Sequence, residues 1–201
     1  MKRLGMVIDL KKCIGCHTCS IACKVKNGTP PGIFYNLVID QEVGNYPNVR
    51  RQFIPRPCMH CEHAPCVDVC PTGASYQRAD GLVLIEEKKC MGCRQCLLAC
   101  PYGARSLNQS KAGYFKSGLT PTEEILYKDR QLGIVEKCNF CVNEVEQGGE
   151  PACITACPFQ ARIFGDLNDP ASEVAQLIHS RQSFRLLKEL GTEPAVYYLP
   201  L

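Results

Sequence analysis

The chain has 201 residues, 45% of them hydrophobic, with 23 Lys and Arg against 20 Asp and Glu for a formal net charge of +3. No apolar run approaches the roughly 18 residues needed to span a bilayer. No basic stripe with interleaved aromatics marks a nucleic-acid surface, so neither a direct membrane span nor nucleic-acid binding is expected.

In chain order, Met1-Lys2-Arg3 lead into Leu4–Ile8 and then the charged Asp9, too short an apolar stretch for a secretory signal. The first four cysteines follow as Cys13, Cys16, Cys19 and Cys23, spaced C-x2-C-x2-C-x3-C. Residues Lys24 to Pro57 form an insert with Pro30-Pro31-Gly32, a short strand expected at Leu37–Ile39, and the basic Arg50, Arg51 and Arg56. The second group is Cys58, Cys61, Cys66 and Cys70, closed by Pro71 and containing His60 and His63. Strands are expected at Ala74–Tyr76 and Leu82–Ile85, joined by Asp80-Gly81, since Asp-Gly between apolar runs is a strong hairpin signal. The third group, Cys90, Cys93, Cys96 and Cys100, repeats the first spacing and ends at Pro101. A second insert runs from Tyr102 to Lys137, with Thr120-Pro121-Thr122-Glu123-Glu124 reading as a helix start. The fourth group is Cys138, Cys141, Cys153 and Cys157, followed by Pro158. After Gly165, Asp169-Pro170 reads as an N-cap with proline at the first helical position. Val174, Leu177 and Ile178 give that helix one apolar face, and Ala195–Leu199 reads as a last strand.

Four groups of four cysteines point to iron–sulfur chemistry. In the C-x2-C-x2-C-x3-C run, three thiolates hold one cubane and the fourth reaches another. A disulfide scaffold fits poorly, because cysteines packed into one turn are badly placed to pair with each other. Structural zinc is the alternative, but zinc sites commonly take two separated pairs, and a third cysteine two residues on would crowd a tetrahedral ion. Four 4Fe–4S clusters are therefore expected. Each oxidised cubane with its thiolates carries about −2, which brings the loaded chain to about −5, so the sequence charge is no guide to partners. Clusters near the surface are oxygen-labile, and a low-oxygen setting is expected.

The chain repeats itself. Leu4–Cys13 and Gly81–Cys90 align without a gap, Gly15 matches Gly92, and Ala22 matches Ala99. Groups two and four resemble each other more loosely, and such self-similarity is a guide to architecture. Cys66 to Pro101 has the length of a bacterial two-cluster ferredoxin, in which the fourth cysteine of each group ligates the other cluster. Groups two and three then form one unit, and groups one and four a second around it. The expected ligand sets are Cys13, Cys16, Cys19 with Cys157; Cys138, Cys141, Cys153 with Cys23; Cys58, Cys61, Cys66 with Cys100; and Cys90, Cys93, Cys96 with Cys70. The fold class is α+β: two pseudo-symmetric two-cluster ferredoxin-like units with inserted loops and a C-terminal tail. Residues 1–57 with 112–169 make the outer unit, 58–111 the inner one, and 170–201 the packing tail.

His60 and His63 are expected to support group two rather than ligate iron, since all four thiolates are present. Lys12, Lys89 and Lys137 each precede a first cysteine, where positive charge stabilises a reduced cluster or simply meets solvent. The two inserts are either covering loops or docking surfaces for partner subunits. No residue is a candidate for catalysis.

The four cysteine patterns together resemble the iron–sulfur electron-transfer subunits of the dimethyl-sulfoxide reductase family. Gly5–Cys13, Pro30–Ile33, Glu42–Pro47 and Phe164–Pro170 are most similar to the polysulfide, thiosulfate and respiratory arsenate reductase branch. The resemblance implies a catalytic partner carrying molybdenum (or tungsten) bis-pyranopterin, and an integral membrane quinone-interacting subunit or a cytochrome at the other end. It implies a place on the periplasmic face of a prokaryotic membrane, by co-export on the partner's twin-arginine signal, with the cytoplasm as the alternative. Two other readings stay open: a free polyferredoxin carrier, and a relay in a formate dehydrogenase or hydrogenase complex.

Overall fold

Each cysteine group is entered by one strand and left by another, and the pairing of these strands organises the chain. The computed structural model describes residues 1–201. Strand β1 (Leu4–Asp9) enters group one, helix α1 (Thr18–Asn27) carries its last two cysteines, and β2 (Asn36–Val43) leaves. Strand β3 (Arg50–Pro57) enters group two; after the short α2 (Pro65–Asp68), β4 (Ser75–Gln77) leaves. Strand β5 (Val83–Ile85) precedes group three, which holds α3 (Gln95–Ala99) and exits through β6 (Arg105–Leu107). The second insert contains α4 (Pro121–Tyr127), and β7 (Val135–Lys137) enters group four. Helices α5 (Val142–Glu146) and α6 (Ala152–Thr155) span that group before β8 (Arg162–Asp166), and the tail adds α7 (Glu173–Ser180) and β9 (Val196–Leu199).

The exit strand of every group pairs antiparallel with the entry strand of the next: β2 with β3, β4 with β5, β6 with β7. Strand β8 then returns to β1, Leu4 facing Asp166, and closes the cycle. Sheet pairing thus crosses between residues 58–111 and the chain around them, since β6 pairs with β7. Strand β9 adds parallel to the free edge of β1, giving the order β8-β1-β9. All six β1 residues are buried, the reading expected of a continuous apolar strand covered on both faces. The core gathers Met6, Ile8, Leu82, Val83, Phe140 and Tyr198 with several of the cysteines themselves. No helix is long and apolar enough to cross a membrane.

Local expectations are met unevenly. The Asp80-Gly81 hairpin is present, its first strand shifted by one residue and its second starting one residue late, with Gly81 at φ 83°. Helix α4 begins where expected, and a capping box links Thr120 and Glu123. The first insert is more ordered than a covering loop. Strand β2 spans eight residues, and its register with β3 runs from Asn36↔Pro57 to Val43↔Arg50, so Arg50, Arg51 and Arg56 lie on a strand. Pro55 and Pro57 hid that strand, because proline donates nothing to a ladder and is confined to edges. The tail helix also starts later than expected, with Ser172 as N-cap. Asp169 instead makes a local turn, its side-chain oxygen accepting from the Ala171 N–H at 2.9 Å and its carbonyl from the Ser172 N–H at 2.9 Å. The expected apolar face survives, for Val174, Leu177 and Ile178 pack on Val7 and Leu199.

Candidate metal centres

All four Cys-x2-Cys loops share one backbone feature. The residue before the second cysteine is left-handed in each: Gly15 at φ 72°, His60 at 43°, Gly92 at 71° and Phe140 at 53°. Such a bend turns successive N–H groups toward one side and makes an anion-binding concavity. At Gly15 a Cβ would strike the Phe53 ring, and at Gly92 the Gly133 carbonyl, so both sites exclude side chains by space as well as by φ. His60 and Phe140 adopt the same bend at a conformational cost, which surrounding packing must sustain.

Two of the expected sets each line a cavity. Cys13, Cys16, Cys19 and Cys157 line one cavity, together with Lys12, His17 and Arg162. Cys58, Cys61, Cys66 and Cys100 line a second. Burial pushes the Cys23 thiol up to about 12, helped by the neighbouring Cys153 and Cys141. Cys138, buried, is held well above its ordinary value by burial and then by Cys23, Cys58 and Cys153. Cys96 is raised by burial, with Cys90 and Cys70 as its cysteine neighbours. Cys93 and Cys16 are exposed; the Thr18 hydroxyl donates to Cys16 Sγ at 3.3 Å and holds that thiol below its usual value.

These donor sets fit iron–sulfur clusters. Cys61, like Cys23, is pushed up to about 12, chiefly by burial. Gathered thiolates in such low-dielectric surroundings need a multivalent cationic partner. No three His, Cys, Asp or Glu side chains converge closely enough for a single metal ion. In two of the sets the cysteines line a cavity instead, as a polynuclear cluster requires.

Two arginines that sequence reading passed over lie among these sets. Arg162 Nη2 donates to Cys19 Sγ at 3.4 Å and to Asn36 Oδ1 at 2.7 Å. Arg105 Nη2 donates to Cys66 Sγ at 2.9 Å and to Ser75 Oγ at 2.7 Å. Burial opposes both charges, yet the thiolates of Cys66, Cys58 and Cys96 around Arg105, and of Cys153 and Cys19 around Arg162, hold each guanidinium above its ordinary value. A signal was present: Cys100-Pro-Tyr-Gly-Ala-Arg105 and Cys157-Pro-Phe-Gln-Ala-Arg162 share the pattern Cys-Pro-x-x-Ala-Arg. In group two the same position is Ser75, the partner of Arg105.

The two histidines and three lysines part company. His63 is exposed, while His60 is fully buried. Burial, then the charges of Lys137 and Arg105, push the His60 imidazole well below the usual range; its Nδ1 accepts from the Val83 N–H at 3.1 Å. Lys12 and Lys89 meet solvent. Lys137 is buried and donates to the carbonyls of Val83 and Cys138. The two inserts pack on each other beside α1: Tyr114 Oη donates to the Thr29 carbonyl at 3.2 Å and Arg130 to the Asn27 carbonyl at 2.8 Å.

The 4Fe–4S dicluster domain family matches residues 49–120 and 116–167 in one form and residues 12–74 in another. The chain is 46% identical over 208 residues to a selenate reductase subunit of Mesobacillus selenatarsenatis, covering 96% of this chain and 70% of that protein. It is 41% identical to the arsenate respiratory reductase iron–sulfur subunit of a Shewanella species, covering 98% and 96%. Against a tetrathionate reductase subunit of Salmonella typhimurium the identity is 40%, covering 99% and 73%.

Proposed function

This chain belongs to the iron–sulfur electron-transfer subunits of the dimethyl-sulfoxide reductase family, built on 4Fe–4S dicluster domains, and on that premise we propose how its cysteine sets form a relay between two partners. It is a non-catalytic subunit of an oxidoreductase complex and carries four 4Fe–4S clusters. When bound, these clusters supply one-electron steps; the chain supplies spacing, exclusion of water and local charge.

The proposed sets are Cys13, Cys16, Cys19, Cys157; Cys23, Cys138, Cys141, Cys153; Cys58, Cys61, Cys66, Cys100; and Cys70, Cys90, Cys93, Cys96. Their neighbour relations form a line. Arg162 stands between Cys19 and Cys153, Cys138 neighbours Cys58, and Arg105 stands between Cys66 and Cys96. The division into an outer unit (1–57 with 112–169), an inner unit (58–111) and a tail (170–201) follows the same sets.

One observation carries the relay reading: only the terminal sets have exposed cysteines, and both show the same apolar rim. Ile14 and Ile21 flank Cys16 in the chain, and Met91 and Leu98 flank Cys93; all four are exposed, Leu98 by 88%. Ile14 and Met91, like Ile21 and Leu98, occupy corresponding places in the repeat. Apolar surface beside each exposed cysteine suits docking of a redox partner at each end. One partner is a molybdenum or tungsten bis-pyranopterin catalytic subunit; the other is an integral membrane quinone-interacting subunit or a cytochrome. The relatives named for selenate, arsenate and tetrathionate reductases support reduction of an inorganic oxyanion or sulfur compound in anaerobic respiration; the proposed location is the periplasmic face, with the cytoplasm as the alternative.

Metal analysis of the native complex, purified without oxygen, tests this. About 16 iron atoms per copy from four cubanes, with further iron and near-stoichiometric molybdenum or tungsten from a co-purifying large subunit, is expected. The same iron with no second metal and no partner makes the chain a free carrier. Within the complex, Cys157→Ser is expected to perturb the signal of the cluster at Cys13, Cys16 and Cys19; perturbation of the Cys138 and Cys141 cluster instead refutes the crossed ligation.

A further inference from the structure

Arg105 and Arg162 are the buried cations that donate directly to cysteine sulfur, and no carboxylate answers either of them. Arg105 is 6% exposed and Arg162 3% exposed, and neither forms an ion pair with Asp or Glu. A lone buried charge is strongly disfavoured unless something nearby compensates it. Their oxygen partners are neutral: a hydroxyl at Ser75 and an amide oxygen at Asn36. These orient the guanidinium without cancelling it. Arg105 also keeps Nε and Nη1 buried with no protein partner, donors left over for sulfur in surroundings that offer no other acceptor. Each arginine stands between two sets, Arg105 among Cys66, Cys58 and Cys96, Arg162 among Cys153 and Cys19.

A positive charge and N–H donors beside a cluster favour the state with the extra electron. Placed between two clusters, one charge acts on both and weakens the repulsion that arises when both are reduced. We infer that Arg105 and Arg162 are potential-setting residues, each raising the reduction potentials of the two clusters that flank it and holding them as a matched pair. The inference rests on the four-cluster relay reading above.

The test is an anaerobic redox titration of the intact complex, followed by electron paramagnetic resonance, on the natural protein and on Arg105→Gln and Arg162→Gln. Arg105→Gln is expected to lower two potentials, each by at least a tenfold change in the reduction equilibrium, about 59 mV for one electron. Arg162→Gln lowers the other two by a similar factor, and the two affected pairs do not overlap. Unmoved potentials, or four that move alike, overturn the inference. Where Arg162→Gln fails to hold its full iron, Asn36→Asp decides, and where Arg105→Gln fails, Ser75→Asp does: each sets a carboxylate against the guanidinium and cancels its charge. A fall in the same two potentials supports the inference, and no fall overturns it. Fewer than four titrating clusters in the natural protein overturns the relay reading itself, and the inference with it; four clusters with unmoved potentials in the variants overturns the inference alone.

Discussion

The imidazole of His60 lies 3.9 Å, centroid to centroid, from the phenyl ring of Phe140. The two residues hold the same position in two Cys-x2-Cys loops, one in group two and one in group four. Phe140 also meets Phe164 edge-on at 5.3 Å. This stack joins the inner and outer groups where Cys138 neighbours Cys58. Phe140 is 1% exposed, and truncating a buried phenylalanine costs about 3–5 kcal/mol. Phe140→Ala is therefore expected to destabilise the loaded protein by that amount in anaerobic denaturation, with early loss of the group-four cluster. An unchanged midpoint would remove the stack from the stability of the joint.

Arg130 and Glu136 form an ion pair in which the side chains are 11% and 7% exposed, and the Tyr35 hydroxyl donates to the same carboxylate at 3.1 Å. Burial pushes the Glu136 carboxyl up, with Arg130 opposing. Arg130→Met strands a buried carboxylate and is expected to cost about 3–5 kcal/mol, most of it recovered in Arg130→Met with Glu136→Leu. The pH dependence has a definite sign. A carboxyl raised in the folded state contributes stability below its unfolded value and loses it as pH rises through the folded value. Thermal midpoints of Arg130→Met should thus fall from mildly acidic to neutral pH more steeply than those of the natural protein, and a flat difference would refute the assignment.

Gly92 and Gly32 both have positive φ, 71° and 82°, but only Gly92 faces a backbone carbonyl, that of Gly133. Gly32 has open space around it. Gly32→Ala is expected to cost about 1 kcal/mol, the left-handed penalty alone. Gly92→Ala adds a clash with backbone and should release the cluster at Cys90, Cys93 and Cys96. Iron per chain separates them: unchanged for Gly32→Ala, reduced by one cluster for Gly92→Ala.

Thr120 caps α4, its hydroxyl accepting from the Glu123 N–H at 3.3 Å while Glu123 accepts from the Thr120 N–H at 2.7 Å. Thr120→Ala is expected to weaken this helix by about 1 kcal/mol. Because α4 lies in the second insert, hydrogen exchange should quicken over Pro121–Tyr127 while iron content stays constant. Loss of iron would show that the insert supports the clusters rather than covering them.

The cluster chemistry was legible in the sequence because it depends on residues a few positions apart. Cys13 to Cys23 and Cys90 to Cys100 carry their spacing locally; Asp80-Gly81 announces a hairpin and Thr120-Pro121 a helix start. The same local logic failed at Pro55 and Pro57, where the strand exists only because β2 supplies its partner over the full register. It failed again at Asp169, where a side-chain turn displaced the helix start to Ser172.

Environment was decided by tertiary structure. Lys12, Lys89 and Lys137 each precede a first cysteine, yet only Lys137 is buried, because β7 runs beneath the joint between the inner and outer groups. Arg105 and Arg162 follow a motif visible in one dimension, but their charge matters only where folding removes water and brings Cys66 and Cys96, or Cys19 and Cys153, to either side. The residue types and their spacing named the metal chemistry. Strand pairings as remote as Leu4 with Asp166 decided which thiols became neighbours, because ladder hydrogen bonds and burial act through space and are blind to sequence separation.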